Sequence, residues 1–189
     1  MIQTDKVLDA KGLACPMPIV KTRKALKDME PGQVIEVQAT DKGSLADIKA
    51  WAKSSGNQYL GTSEVGEVLK HYLRKADQLE EKEEAQFPHT LTNDELQEQL
   101  GRDDVILLDV REPAEFAFGH IPGAVSVPLG ELEKRAEELN PEKEIFIICR
   151  TGNRSELASK QLVEKGFGNV KNAIEGMTQW NGPIEKTEA

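Results

Sequence analysis

The residues best suited to chemistry are two cysteines, Cys15 and Cys149. Cys149 ends the longest unbroken apolar run, Ile145–Cys149, and is followed by Arg150-Thr151-Gly152-Asn153-Arg154-Ser155 and then a helical pattern. A thiol between a buried strand and a helix sits beyond the strand's carboxyl end, where open α/β sheets bind ligands. Loop N–H groups and the helix start supply partial positive charge there. Arg150 and Arg154 add full charges, and Gly152 permits the tight curve. Each of these favours a thiolate and attracts an anionic substrate. The size of the effect matters: a cysteine of pKa about 8.5 is about 3% ionised at pH 7, and one of pKa about 6.5 is about 75% ionised. Arg150, Thr151, Gly152, Asn153 and Arg154 are therefore read as a substrate-binding loop around a nucleophilic Cys149.

Cys15 lies in Gly12-Leu13-Ala14-Cys15-Pro16-Met17-Pro18. Two prolines fit the first turn of a helix, where missing N–H groups cost nothing. Cys15 is then expected at the helix cap. The N–H groups of Met17 and Ile19, the helix dipole and Lys11 would favour its thiolate. The plainer alternative is a cysteine that packs at a helix start.

Neither cysteine needs a disulfide in a chain with ample core. The three histidines, His71, His89 and His120, show no metal-ligand spacing with them, so no metal or cofactor is expected. Asp109 and Arg111 follow an apolar strand. An ion pair that holds loops is the simpler reading for them, and support of the substrate the other. His120 precedes Ile121-Pro122 in a turn, and a turn-stabilising role fits it better than a Cys–His pair, which needs a third orienting group.

The elements that must position these residues divide into two sets. The chain has 189 residues, net charge −9, 38% apolar and 30% charged residues, enough for two domains. Residues 1–75 and 76–189 each hold 12 Lys/Arg, but acidic residues concentrate in the second part, leaving the first net basic. Such asymmetry is expected of two modules. It argues against a protein that coats nucleic acid and lets the basic part dock on an acidic partner or on the acidic part. No apolar run approaches the roughly 20 residues of a membrane span. The N-terminal residues do not read as a signal peptide, so a cytoplasmic location is expected. The expected boundaries are 1–75, a charged linker 76–87 (its polar stretch to Gln86 a candidate solvated helix), and 88–189.

In the first domain the pattern predicts a strand at Val7–Ala10 and a helix at Pro16–Met29 with Ile19, Val20, Leu26 and Met29 inward. A strand at Val34–Ala39 follows, with Glu36 and Gln38 on its outer face. Ser44-x-x-Asp47 reads as a capped helix start, with Leu45, Ile48 and Trp51/Ala52 inward and Gly56 as the stop. Strands near Tyr59–Ser63 and Glu67–Arg74 complete a β-α-β-α-β-β order, an α+β two-layer sandwich with both helices on one face. In the second domain Thr92-x-x-Glu95 opens a helix to about Leu100. Strands follow at Val105–Val110, Ala124–Val127, Glu144–Cys149 and Val170–Ala173, with helices at Gly130–Leu139 and Ser155–Lys165. That alternation predicts a doubly wound α/β domain.

Cys149–Arg154 resembles the Cys-Arg-x-Gly-x-Arg loop of the rhodanese sulfurtransferases. Leu108-Asp109-Val110-Arg111-Glu112-Pro113-x-Glu115-Phe116, Gly119-His120-Ile121-Pro122-Gly123-Ala124 and Gly176-Met177-x-x-Trp180 resemble that family's flanking segments, over residues 88–186. The resemblance implies a rhodanese-like fold and a Cys149 that accepts sulfane sulfur as a persulfide. Tyrosine phosphatases place five residues between their cysteine and arginine; here there are four, which suits sulfur chemistry better. Cys15-Pro16-Met17-Pro18 resembles the Cys-Pro-x-Pro signature of the TusA/SirA-like sulfur carriers. It implies a Cys15 that carries sulfur as a persulfide to a protein acceptor. Together these imply a relay: thiosulfate or a low-molecular-weight persulfide loads Cys149, and sulfur passes to Cys15 and on to a thiol acceptor. Direction, and transfer within one chain or across a homodimer, stay open. A rhodanese merely delivered by a binding module, and a redox sensor joining the two thiols, are the alternatives.

Overall fold

The computed structural model describes residues 2–78 and 87–187. Most of the expected linker, and its candidate helix from residue 79 on, lies outside the described residues. The chain forms two units, one ending at Gln78 and one at Thr187.

The first unit runs β1 (Lys6–Asp9), α1 (Met17–Lys27), β2 (Val34–Ala39), α2 (Ser44–Ser54), β3 (Gln58–Val65) and β4 (Val68–Arg74). The sheet order is β1-β2-β4-β3, with β1 and β2 parallel and the other pairs antiparallel. Ile35 stands opposite Leu73 and Val37 opposite His71. That face of the sheet meets Ala25, Leu26, Ile48 and Ala52 of the two helices. Each fully buried Leu or Ile there contributes about 1.5–3 kcal/mol.

Four expectations are corrected within this unit. Val20 and Leu45 are exposed. The buried stripe of α1 is Pro18, Thr22, Ala25 and Leu26, because Thr22 satisfies its hydroxyl on the Pro18 carbonyl at 2.8 Å. Ser44 does not cap α2: Gly43 is the cap residue, and the Ser44 hydroxyl is hydrogen-bonded with His71 Nε2 at 2.9 Å. Glu36 is engaged on its face, accepting from the Tyr72 hydroxyl at 2.9 Å and pairing with Lys70 at 3.5 Å.

The second unit runs β5 (Thr90–Leu91), α3 (Asn93–Gln99), β6 (Val105–Asp109), α4 (Pro113–Phe118), β7 (Val125–Ser126), α5 (Leu132–Arg135), β8 (Glu144–Ile148), α6 (Asn153–Glu164) and β9 (Val170–Ala173). All pairings are parallel, in the order β5-β9-β8-β6-β7. On central β8, Ile145 and Ile147 join one core while Phe146 and Ile148 join another. The continuous apolar run is thus explained by burial on both faces. The Thr92/Glu95 capping box forms as expected, Glu95 N donating to Thr92 Oγ1 at 3.3 Å and Thr92 N to Glu95 Oε2 at 2.7 Å.

The expected helix at Gly130–Leu139 is broken. Only Leu132–Arg135 is α-helical, flanked by tighter three-residue turns, although Leu132, Ala136 and Leu139 are buried as a helical stripe would bury them. A segment this short is held by its packing rather than by propensity. Helix α4 and strand β5 were not expected. Both are too short to show a period, though Pro113 at the first helical position and Glu115 two residues on are start signals.

Candidate functional site

Strands β6 and β8 are parallel neighbours, and the chain leaves them for opposite edges of the sheet. The loops after Asp109 and Ile148 therefore lie side by side at a topological switch point, where such sheets bind ligands. Cys149 is the first residue of its loop and is fully buried. Gly152 N donates to Cys149 Sγ at 3.1 Å, and the Ser155 hydroxyl lies 3.3 Å from the same sulfur. The sulfur sits at the start of the 12-residue α6, whose dipole and amide support negative charge there.

The loop's curvature depends on two glycines. Gly152 has φ +97°, and a Cβ there would stand 2.4 Å from the Ile174 carbonyl oxygen. Gly176 has φ +65°, and its Cβ would stand 2.4 Å from the Arg150 oxygen. The closing segment presses on the loop at that point. Met177 N donates to Cys149 O at 2.8 Å and Thr178 N to Arg150 O at 3.0 Å. Asn172 Nδ2 holds Gly152 O at 3.2 Å, and Asn93 Nδ2 holds Gly176 O at 3.0 Å. Thr151 Oγ1 is buried and has no hydrogen-bond partner among the described residues.

Arg154 was expected to offer charge to an anion. It is instead buried against Glu115, with Nη1 to Oε2 at 2.7 Å and Nη2 to Oε1 at 3.0 Å. Its charge is balanced, and the fork ties α6 to α4. Asp109 and Arg111 form a second buried pair: Arg111 Nη2 lies 2.6 Å from Asp109 Oδ2 and also donates to Gly119 O at 2.8 Å. That geometry fits the loop-holding reading. His120 stacks on Phe116 with centroids 3.7 Å apart, its Nδ1 2.9 Å from the Phe116 carbonyl. It belongs to its own turn.

Cys15 is exposed and precedes the cap residue Pro16 by one position; the Cys15–Pro16 peptide bond is cis. The Met17 N–H expected to face the thiol donates to Ala14 O at 3.0 Å. Lys11 pairs with Asp9 at 3.4 Å. What faces the sulfur is acidic. Cys15 shares a shallow hollow with Pro16, Pro18, Ile19, Asp41, Ser44, Asp47 and Ile48. Its backbone N–H donates to Asp41 Oδ2 at 3.3 Å. A hydrogen bond to the Asp47 carboxylate holds the thiol above its ordinary pKa, with desolvation and the charges of Asp47 and Asp41 adding to that. The expected shift of Cys15 toward thiolate is thus corrected: the Asp47 and Asp41 carboxylates push its pKa up instead.

Behind Ser44, buried His71 has its Nδ1 3.1 Å from both the Tyr59 hydroxyl and Thr62 Oγ1. Burial lowers its pKa to about 4, so it is neutral and anchors α2 to the sheet. Among the described residues no group of His, Cys, Asp and Glu could hold a metal, and no helix is long and apolar enough to cross a membrane.

Sequence reasoning missed Asp41, Asp47, Ser155, Asn172 and the role of Glu115. Ser155 was within reach, as the residue after the loop; the others depend on contacts across the fold.

Residues 6–75 match the family Sulfurtransferase TusA, and residues 92–183 match the Rhodanese-like domain. A Bacillus subtilis protein named "Putative sulfur carrier protein YrkF" is 49% identical over 186 residues, covering 98% of this chain and all of its own length. The sulfur carrier protein TusA of Allochromatium vinosum is 42% identical over 76 residues, 40% of this chain and all of that one. The crystal structure of a rhodanese-like domain protein from Staphylococcus aureus is 28% identical with a TM-score of 0.50, covering 53% of this chain and 99% of that one. Two sulfur-handling domains thus stand in one polypeptide, and the chain belongs to the family that joins a TusA-type sulfur-carrier domain to a rhodanese-like domain.

Proposed function

We propose that the chain is a sulfurtransferase that takes sulfane sulfur onto Cys149 and passes it through Cys15 to a protein thiol acceptor. The carrier domain is 1–75, the linker 76–87 and the rhodanese domain 88–189. The observation that carries this reading is the Cys149 sulfur at the end of the central strand, with the Gly152 amide donating to it at the start of α6. With thiosulfate as donor, the Cys149 sulfur attacks the outer sulfur, the S–S bond of the donor breaks, and sulfite leaves with the electron pair. A low-molecular-weight persulfide loses a thiolate in the same way. Arg150 and the loop through Thr151, Gly152, Asn153 and Arg154 bind the donor. Arg154 acts by fixing the loop, and Asp109 with Arg111 holds the neighbouring loop in place. Cys15 then bonds to the outer sulfur of the Cys149 persulfide, and Cys149 leaves as thiolate.

No cofactor is required, because each step exchanges one S–S bond for another. The setting is the cytoplasm, with neither membrane nor nucleic acid as a direct partner. Transfer runs within one chain or between two copies.

Mass spectrometry after exposure to donor tests the relay. Wild type gains sulfur on both cysteines. Cys149→Ser fails to load Cys15 at the normal rate. Unimpaired loading of Cys15 in that variant refutes the relay. The carboxylates that raise the pKa of Cys15 favour a second reading, in which the first domain only docks the rhodanese on a partner. Under it, Cys15→Ser leaves the partner's sulfur uptake unchanged.

A further inference from the structure

The hollow around Cys15 has the opposite character to the loop around Cys149. Asp41 reaches it from the β2–α2 connection, where its Oδ1 also accepts from Gly43 N at 3.0 Å, so its position is fixed at both oxygens. Asp47 reaches it from the first turn of α2. Among the described residues, both carboxylates line the hollow and act on the sulfur. Met17 and Leu45, each next in sequence to a residue that lines the hollow, are exposed.

We infer that Asp41 and Asp47 make Cys15 selective, admitting sulfur from a persulfide held on another thiol and refusing free anionic donors such as thiosulfate. The inference rests on the reading of Cys15 as a sulfur carrier. A dianion approaching two carboxylates meets repulsion at contact range, where neighbouring like charges shift equilibria by about tenfold or more. A persulfide presented by a protein is uncharged at its outer sulfur as the hydropersulfide and carries one charge, not two, when ionised, so it meets a smaller barrier.

The same carboxylates serve the transfer step. As the Cys15 sulfur bonds to the outer sulfur of the donor persulfide, its proton passes to Asp47. The donor S–S bond breaks, and its electron pair leaves on the donor thiolate, which recovers the proton. One S–S bond replaces another, and nothing is oxidised or reduced overall. Asp47 is thereby assigned as the proton acceptor of Cys15, and Asp41 as the residue that fixes the Cys15 backbone and completes the negative hollow.

The full chain carrying Cys149→Ser tests this, since any label then reports Cys15. Iodoacetamide is neutral and iodoacetate anionic. Relative to N-acetylcysteine amide, Cys15 is expected to prefer iodoacetamide about tenfold. Asp41→Asn with Asp47→Asn, which keep side-chain shape and remove the charge while giving up one of the two acceptor oxygens that Asp41 uses, should abolish that preference and let thiosulfate load Cys15 directly. Asp47→Asn alone should raise the iodoacetamide rate at neutral pH several-fold. An unchanged iodoacetamide-to-iodoacetate ratio in the double variant overturns the inference, even if Cys15 still loads through Cys149 in the otherwise native chain. A corrected ratio with no sulfur reaching Cys15 by any route leaves the charge filter standing and overturns the relay.

Discussion

The two cysteine sites solve opposite problems with the same helix-start geometry. Cys149 is buried at the start of α6, with an amide donating to its sulfur and backbone clamps behind it. Cys15 is exposed just before α1, with its nearby amide spent on a turn and two carboxylates facing it. A helix start is therefore not enough to set a thiol's state. The dipole is worth about 0.3–1 kcal/mol at an exposed position, and a directly hydrogen-bonded carboxylate overrides it. Under the proposed relay, the buried site receives an anionic donor and the exposed one meets another thiol.

The largest expected effect separates the two sites by function. Cys149→Ser should abolish thiosulfate:cyanide turnover, a loss of at least about a thousandfold, as expected when a covalent nucleophile is removed. Cys15→Ser should keep most of that turnover, because cyanide takes sulfur directly from Cys149. Steady-state assays of sulfite and thiocyanate measure both. Equal losses would erase the distinction between loading site and carrier site.

Much of this contrast was legible in the sequence where it was local. The Cys149 site is one continuous strand, loop and helix, so Ile145–Ser155 contains its own geometry. The capping box at Thr92 and Glu95 is likewise three residues long. The Cys15 site was misjudged because what decides it is remote: Asp41 and Asp47 arrive through the packing of α2 beside α1. Glu115 meets Arg154 across 39 positions, and nothing in local spacing announces that pairing. Periodicity also misplaced Val20 and Leu45. It ranks residues by polarity, and a threonine that bonds its own helix carbonyl is as easily buried as a valine.

Two ion pairs with both partners buried, Arg154–Glu115 and Arg111–Asp109, mark the second unit further. Removing one partner of a desolvated pair leaves the other uncompensated, at a cost of about 3–5 kcal/mol. Glu115→Gln should therefore destabilise the second unit by about that much, read as a lower urea midpoint followed by Trp180 fluorescence. It should also lower sulfur loading of Cys149 by loosening the start of α6. A change below about 1 kcal/mol would mean that Arg154 is not tied to the fold through Glu115.

The first unit buries a neutral histidine as well, and acid should act on it with a smaller effect. His71 stays uncharged in the folded chain down to about pH 4, while in the unfolded chain it takes up a proton near pH 6.5. Below pH 6.5 proton uptake therefore draws the first unit toward its unfolded state. The loss grows until about pH 4 and then levels off, reaching on the order of 3 kcal/mol. Above pH 6.5 His71 adds no pH dependence. Urea melts followed by Trp51 fluorescence in a Trp180→Phe chain measure the slope. His71→Gln, which keeps a neutral hydrogen-bonding side chain, should lower stability at pH 7 yet flatten the curve between pH 6.5 and 4. If the variant and its parent lose stability in parallel over that range, the acid sensitivity of the first unit lies in its carboxylates and not in the histidine that pins α2 to the sheet.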